Sequence, residues 1–574
     1  MPTEGINGNL WKNPIAALSK WAFRCSPTDE QIRVSALSLF PENVRLSSPV
    51  ENEISKNEVT RKPYSMRKLA LGSSLRVFHL ALLTAIGFFL TPFTIHWLGP
   101  EQYGIWALAS AFVGYYSILD LGLSGAVFTH MSHTIGAGDY ESGTKIYSTG
   151  LSIFSLLGGI LVVLTLCVAS AVLLFYPHHG LTLAIVILII GLQASISFPM
   201  RAPFGVLNAG SHFETTTAVL ISAAILRTIG TVVVLRVGKG VVGLAVVNIL
   251  SWVPGYIFVC IAVHWRYPFI RARALGKWHR DTAHKLFTFG VPVLIGQIAD
   301  RIRLQTDAVV VSVFLGLSAV THYNIATTLV SYYMEGIVAI IGVLTPVLSM
   351  QMSVRDVKGM RASILTGTRL AICTGGFAGF GLICWGRVFI ERWMGPAYID
   401  AYPILLVLSV AMFLDLWQST SVNALYATMH QKTYAKINIS EAVANLLLSL
   451  LLGSKLGMIG VALGTLIPSI VVRGFIQPWV IERKLGIAAR NYYFVSLRTL
   501  GRTVVCLLIP LVIAMRFLRH SYLSVFAVSG LSLIVFAFPI WYLEFDLHGS
   551  GWIRAKVPML FTWLRGDQIP RIPS

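Results

Sequence analysis

The 574-residue chain is poor in charged residues, and most of those it has are basic. Charged side chains make up 12% of the residues and acidic ones number only 25, whereas about 25% of a typical soluble protein is charged. Hydrophobic residues make up 55% of the chain, and its mean hydropathy is +0.71. This composition excludes a soluble globular protein and predicts a chain that crosses a membrane many times.

Several signatures of chemistry and targeting are missing as well. The six cysteines form no CxxC pair and no Cys/His cluster, so we expect neither a zinc site nor a disulfide framework. The absence of a Walker motif argues against ATP-driven transport by this chain. Lys12, Pro14 and Lys20 interrupt the first 20 residues, so a signal peptide is not expected and the first spanning helix must direct insertion. We predict no metal and no cofactor.

Apolar runs of about 20 residues, the length that crosses a bilayer, predict fourteen spanning helices. These runs lie near 74–98, 104–128, 146–176, 181–204, 214–236, 241–265, 285–315, 319–350, 361–389, 402–426, 434–453, 457–481, 496–518 and 521–544.

Lysine and arginine alternate from loop to loop, and this pattern predicts the orientation. Basic groups occur at 61–68, 266–285, 355–361 and 483–490, while the intervening loops are poorer in them. By the positive-inside rule both termini are cytoplasmic. The net charge of +20 is therefore explained by topology, and we expect no nucleic-acid partner.

The chain repeats itself after about 217 residues. Leu98-Gly99 aligns with Leu315-Gly316, the run VGLA at 242–245 aligns with IGVA at 459–462, and 207–222 aligns with 425–440. Because six helices, an even number, precede the second copy, the two copies are parallel. We predict an all-α polytopic membrane protein with two parallel six-helix repeats, an N-lobe and a C-lobe around a central cavity, and two C-terminal helices.

The predicted organisation has six parts. They are a largely disordered cytoplasmic tail at 1–73, the N-lobe at 74–265, a basic cytoplasmic linker at 266–284, the C-lobe at 285–482, helices 13 and 14 at 483–545, and a cytoplasmic C-terminal tail at 546–574.

Four segments of the sequence carry a resemblance to a known family. They are LGPEQYGIWALASAFVGYYSILDLGLSGAV at 98–127, GDYE at 138–141, FGVPVLIGQIADRIRLQTDAVVVSVFLG at 289–316 and LGMIGVALGTLI at 456–467. Over roughly 70–480 the chain resembles the polysaccharide-repeat flippases of the multidrug/oligosaccharidyl-lipid/polysaccharide (MOP) exporter superfamily.

The resemblance implies a V-shaped pair of bundles and alternating access in the bacterial inner membrane. The substrate it implies is an undecaprenyl-pyrophosphate-linked oligosaccharide for exopolysaccharide, capsule or O-antigen synthesis. The partners it implies are membrane lipids, a coupling proton or sodium ion, and polysaccharide polymerase or export machinery.

The seventh helix holds the densest group of charges within an apolar run. Charges inside spanning helices are rare and usually functional, and guanidinium groups match phosphate oxygens bidentately. We therefore predict that Arg301 and Arg303, with Gln297 on the face of Arg301, bind the pyrophosphate. In the alternative, Arg303 pairs with Asp300 and Asp307 along its own helix and has a packing role.

Other basic residues have weaker claims. Arg76 and His79, near the cytoplasmic end of the first helix, are predicted to receive the head group, although an arginine so placed also snorkels to lipid phosphate. Arg227 and Arg473 are interpreted as polar contacts inside the bundles, and Arg369 as a weaker cavity candidate.

Four carboxylates within the helices are candidates for ion coupling. Asp120 and Glu335 occupy nearly equivalent places in the two copies, and Asp300 and Asp307 lie on the seventh helix. A carboxylate within the membrane either carries an ion or is paired. For Asp120 the alternative is a cap or pair within LDLGLSG.

Two other functions compete with the flippase. A cation-coupled multidrug antiporter of the same superfamily needs carboxylates facing its substrate, whereas the densest cluster here contains two arginines. A membrane polysaccharide polymerase or ligase needs room outside the bilayer for its sugars, but the predicted outer loops hold no more than about fifteen residues, too few for a folded domain. We therefore predict a transporter and not an enzyme.

Overall fold

The structure is a computed structural model that describes residues 66–176, 179–268, 270, 278–342, 344–353, 356–428, 430–517 and 522–546. Some side chains within the helices are not described, among them those of 66–74, 76–77, 289–297 and 299–302. The described residues form helices, and no strand occurs among them.

These residues form fifteen α-helices, joined by short turns. They are α1 (Met66–Gly114), α2 (Leu123–Ala137), α3 (Tyr140–Phe175), α4 (Gly180–Ala209), α5 (Phe213–Arg236), α6 (Gly240–Arg266), α7 (Arg280–Leu315), α8 (Leu317–Ile341), α9 (Leu344–Ser353), α10 (Val357–Trp393), α11 (Ala401–Ala427), α12 (Gln431–Val471), α13 (Gln477–Leu485), α14 (Ala489–Phe517) and α15 (Tyr522–Trp541).

Eleven helical segments of the described residues are long and apolar enough to cross a membrane. Two of them are longer than one crossing needs, Phe78–Asp120 with 43 residues and Lys432–Leu485 with 54. At 1.5 Å per residue they would extend about 65 and 80 Å if straight. Each is broken at one glycine with a non-helical backbone, Gly99 or Gly457, so each comprises two consecutive helices.

Glycines about 217 residues apart adopt matching backbone conformations. Gly99 has φ 76° and ψ 168°, and Gly316 has φ 84° and ψ 176°. Gly240 and Gly457 have φ of 61° and 63°. Positive φ is accessible to glycine at little cost because it has no Cβ. Equivalent positions of the aligned segments therefore turn the chain in the same way.

Two aspartates, also about 217 residues apart, start long helices in the same manner. The Asp139 carboxylate accepts a hydrogen bond from the Ser142 N–H at the start of α3, at 3.0 Å. The Asp356 carboxylate accepts one from the Gly359 N–H at the start of α10, at 2.8 Å. Such N-caps satisfy backbone donors that the first helical turn leaves free.

The helix ends meet at two faces, which we call the Gly99 face and the Gly210 face. Contacts at the Gly99 face join Glu101 with His179 at 3.7 Å, Gln102 with the Val241 N–H at 3.3 Å, and His322 with Asp400 at 2.5 Å. Contacts at the Gly210 face join Gly210 with Tyr267, and Arg361 with the Leu485 carbonyl at 3.2 Å.

The last two helices attach to α10 through an apolar cluster that includes Cys373, Cys506 and Phe536, and through one buried carboxylate. Glu544, which follows α15 and is 2% exposed, lies 2.8 Å from Arg502 of α14 and 3.8 Å from Arg369 of α10. The Thr499 hydroxyl also donates to it, at 2.9 Å. Arg369 therefore has a carboxylate beside it among the described residues, and its interpretation as a cavity residue stays a prediction.

Candidate functional site: the seam between the halves and the buried charges beside it

The two halves of the chain, 66–266 and 280–485, meet along a seam between α1 and α8 near the Gly99 face. The Thr321 hydroxyl donates to the Pro100 carbonyl at 2.5 Å. A Cβ on Gly104 would lie 2.0 Å from the Leu317 carbonyl oxygen, so the two backbones are in direct contact. Further polar contacts between the halves join Tyr103 with Asn324 at 3.2 Å, Tyr115 with Thr306 at 2.8 Å and Tyr176 with Ser312 at 2.6 Å.

The seam continues away from the Gly99 face as far as Tyr332. A Cβ on Gly87 would lie 2.2 Å from the Tyr332 hydroxyl. The Trp393 indole of α10 donates to the Phe88 carbonyl at 2.7 Å. Glu335, a turn beyond Tyr332 on α8, is exposed. This predicted coupling carboxylate thus lies just past the last of these seam contacts.

α7 is the first helix of the second half, and it packs against the first half as well as against its own half. Near its start, Ala283 and Leu286 belong to one apolar cluster with Leu123 and Ala126 of α2. Towards its other end, Val310 packs against Gly453 of α12. α7 is therefore in contact with the first half near its start and with the interior of the second half towards its other end.

Four buried charges form a cluster inside the second half, which we call the ion cluster: Arg303, Asp415, Glu441 and Arg473. Arg303 lies 2.5 Å from Asp415 and 3.4 Å from Glu441. Arg473 lies 2.8 Å from each of the same two carboxylates. The four side chains are between 1% and 10% exposed. Two positive and two negative charges offset each other, as a buried ion group requires.

A π-turn of the backbone and several hydrogen bonds hold the Arg473 guanidinium in the ion cluster. Residues Val472–Ile476 form a π-turn between α12 and α13, a geometry common at functional positions. Arg473 donates to Gln477 at 2.9 Å and to Asn438 at 3.1 Å. Gln418 donates to the Arg473 carbonyl at 2.8 Å. The interpretation of Arg473 as an internal polar contact is confirmed.

The observed carboxylate partners of Arg303 thus lie on α11 and α12. Helical spacing predicted two different partners on its own helix, Asp300 and Asp307. One of those two, Asp307, is 7% exposed and accepts hydrogen bonds from the Tyr323 hydroxyl at 2.6 Å and the Thr465 hydroxyl at 3.2 Å. Its other carboxylate oxygen has no hydrogen-bond partner among the described residues.

In the first half, Asp120 forms an ion pair with Arg201 of α4. The Ser124 hydroxyl also donates to Asp120, at 2.5 Å. This agrees with the alternative in which Asp120 is a paired group, although its partner comes from another helix and not from LDLGLSG alone.

The other predicted residues are placed less completely. His79 is half-buried in α1. The side chains of Arg76, Gln297, Asp300 and Arg301 lie outside the described residues. Arg227 is half-buried in α5, and no polar partner for it is found in the described part of the chain, so the internal contact predicted for it is not seen there.

Asp415, Glu441 and Arg201 are not among the functional residues predicted from the sequence. Asp415 and Arg201 are each the single charge within a predicted apolar run, in LDLWQST and FPMRAPF, whereas Glu441 shares its run with Lys436, in YAKINISEAVAN. The rule that selected helix seven, that charges inside spanning helices are seldom incidental, applies to them equally. The sequence alone does not show which of these charges pair with one another across helices.

The fold is similar to the folds of two solved membrane transporters, one of which is described as a member of the MOP superfamily. The chain aligns with the lipid II flippase MurJ in an inward closed conformation at a TM-score of 0.64 and 17% identity, covering 83% of this chain and 99% of that one. It aligns with an inward-facing multidrug resistance MATE transporter of that superfamily at 0.62 and 17%, covering 70% and 95%.

A family model described as "Polysaccharide biosynthesis protein" matches residues 97–403, which is more than half of the chain. The protein belongs to this family. A relative from Shigella flexneri named "Putative O-antigen transporter" is 24% identical over 431 residues, covering 72% of this chain and 97% of the relative.

Proposed function

We propose that this protein moves an undecaprenyl-pyrophosphate-linked oligosaccharide from the cytoplasmic to the outer leaflet of a bacterial inner membrane, for the synthesis of a surface polysaccharide. The observation that carries the proposal is membership of the polysaccharide biosynthesis family together with a fold shared with a lipid flippase. A pyrophosphate with its sugars does not cross hydrocarbon unaided, because desolvating each charge costs too much.

We further propose fourteen spanning helices arranged as two parallel six-helix repeats and two additional helices, with both termini in the cytoplasm. The matching conformations of Gly99 and Gly316, and the matching caps Asp139 and Asp356, support the repeat. The basic loops support the orientation, in which the Gly210 face is cytoplasmic and the Gly99 face is external.

In this orientation the structure corresponds to a state closed towards the outside. The seam from Thr321 to Tyr332 holds α1 against α8 on the external side. Opening of this seam, with closure on the cytoplasmic side, would complete alternating access. An inside-negative potential, worth about 2.3 kcal/mol per charge per 100 mV, favours outward passage of the anionic head group.

Asp307 is the carboxylate that we propose as a proton carrier. It is buried against the neutral hydroxyls of Tyr323 and Thr465, and a carboxylate in such a setting can take up and release a proton without breaking an ion pair. Asp120 is held by Arg201, and Glu335, exposed just past the last seam contact, is the second candidate.

Asp307→Asn is expected to remove the dependence of translocation on a proton gradient while leaving the fold intact, because an amide oxygen still accepts both hydrogen bonds. The measurement is lipid translocation by the purified protein in vesicles, with and without an imposed pH difference. Glu141→Gln, at a carboxylate that is 81% exposed, is the control and should respond like wild type. An undiminished response of the Asp307 variant to the gradient would exclude it as the carrier.

A multidrug antiporter is the second candidate function, since the fold is shared with a multidrug transporter. Deletion of the gene separates the two. We expect the deletion strain to lose surface polysaccharide and to accumulate undecaprenyl-linked oligosaccharide, with unchanged drug sensitivity. Intact polysaccharide together with drug hypersensitivity would favour the antiporter.

A further inference from the structure

A cavity of about 410 Å³ opens in the first half between α2, α4 and α5. Six of its lining residues are Ser124, Phe128, Arg201, Phe204, Asn208 and Phe213, a mixture of hydrogen-bond donors and aromatic rings. Arg201 lies eight residues before the end of α4 at Ala209, about 12 Å along the helix axis. In the proposed orientation the cavity therefore spans the head-group and upper acyl level of the cytoplasmic leaflet.

Most N–H groups of the Arg201 guanidinium form no hydrogen bond with a described residue. The guanidinium lies over the Phe198 ring, 3.9 Å from the centroid, and its one hydrogen bond with a described residue goes to Asp120. A guanidinium carries five N–H donors, and the Arg201 side chain is 26% exposed. The unused donors are therefore available to a ligand in the cavity.

Two neighbouring polar residues also line the cavity, one with its donor engaged and one with donors left over. The Ser124 hydroxyl donates to the same oxygen of Asp120 that Arg201 contacts. Asn208 accepts a hydrogen bond from Thr216 through Oδ1 at 3.0 Å, which leaves its amide N–H groups for another partner. Asp120 thus occupies the position that an anion would take beside Arg201 and Ser124.

We propose that this cavity binds the diphosphate and the first isoprenoid unit of a polyprenyl-linked saccharide, with Arg201 as the principal phosphate ligand. Guanidinium groups bind phosphate oxygens in bidentate pairs, and the rings of Phe128, Phe204 and Phe213 provide the apolar surface that an isoprenoid needs. Asp120 competes with the phosphate for Arg201. The assignment rests on the proposed function, because it names the point at which that substrate enters.

The test is a binding measurement on the full chain in lipid nanodiscs with three probes. Farnesyl diphosphate carries both head group and isoprenoid, farnesol lacks the phosphates, and inorganic diphosphate lacks the lipid. We expect wild type to bind farnesyl diphosphate more tightly than either of the others. Arg201→Gln should weaken that binding roughly 10- to 100-fold, the range for loss of charge-assisted hydrogen bonds. Asp120→Asn should strengthen it, because the competing anion is gone.

The matched control is Arg236→Gln, which removes one positive charge from the exposed far end of α5 and should leave binding unchanged. The double variant Arg201→Gln with Asp120→Asn leaves no unpaired charge, so it keeps the test valid if the single variant does not fold. It should bind as weakly as Arg201→Gln.

Three results would overturn the proposal. Equal affinity for farnesol would mean a purely apolar site, equal affinity for inorganic diphosphate would mean a site for free anions, and unchanged affinity in both Arg201 variants would remove the assigned ligand. Normal surface polysaccharide in cells with an Arg201 variant would also place the cavity off the transport path, while the flippase function would stand. The deletion strain tests the flippase function itself, independently of the role of this cavity.

Discussion

In the proposed orientation and alternating-access cycle, Gly104→Leu is expected to abolish most translocation by forcing apart the seam on the external side. The Cβ position at Gly104 lies 2.0 Å from the Leu317 carbonyl oxygen, and a backbone atom cannot move aside as a flexible side chain can. Overpacking typically costs about 1–3 kcal/mol, which would lower the population of the externally closed state roughly 5- to 150-fold. A transporter that cannot close on one side cannot complete its cycle.

Two measurements check this result. Translocation is assayed in vesicles, and the seam is probed by labelling Asn324→Cys with an impermeant maleimide from outside, in a chain whose six native cysteines are replaced. We expect slow labelling in the parent and fast labelling with Gly104→Leu. Gly159→Leu, at an exposed glycine of α3 with open space around its Cβ position, should leave both readouts unchanged. Unchanged labelling and transport in the Gly104 variant would refute the assigned seam.

Arg473→Met should produce the largest loss of stability of any single substitution proposed. It removes one of two cations from the ion cluster and leaves Asp415 and Glu441 to share Arg303. Removal of one partner from a buried ion group costs about 3–5 kcal/mol. Titration of the purified protein with SDS in mixed micelles measures the free energy of unfolding.

We expect the loss of stability in Arg473→Met to come from the unbalanced negative charge in the ion cluster and not from the change in side-chain volume. The double variant Arg473→Met with Glu441→Gln restores neutrality and should recover part of the stability. Arg483→Met, at an exposed arginine over the Trp479 ring, should cost less than about 1 kcal/mol. Equal destabilisation by the Arg473 and Arg483 variants would contradict the ion cluster's structural role.

The helical type of the spanning segments followed from apolar run length, whereas their ends did not, and their number of fourteen stays a prediction. The run predicted at 146–176 is a helix that begins at Tyr140, and the run at 361–389 is a helix from Val357 to Trp393. In both cases an aspartate cap starts the helix before the apolar residues begin. The run at 319–350 is two helices, Leu317–Ile341 and Leu344–Ser353, because a local break does not interrupt hydropathy.

The candidate site was predictable only in part, because pairing across helices is a tertiary property. Spacing along helix seven offered Asp300 and Asp307 as partners for Arg303, but Asp415 and Glu441 lie more than one hundred residues further on and contact it directly. The matching turns at Gly99 and Gly316, by contrast, were predictable from the sequence. They follow from an alignment within the sequence, since a repeated segment repeats its local backbone conformation.

The most direct test of the flippase function is translocation of a fluorescent polyprenyl-diphosphate-linked saccharide by the purified protein in vesicles, read by quenching with an impermeant reductant. We expect that label starting in one leaflet becomes accessible from the other at a rate that rises with protein content and is lost in Gly104→Leu. Label that stays as protected as in protein-free vesicles, under a potential and pH difference of either sign, would contradict it.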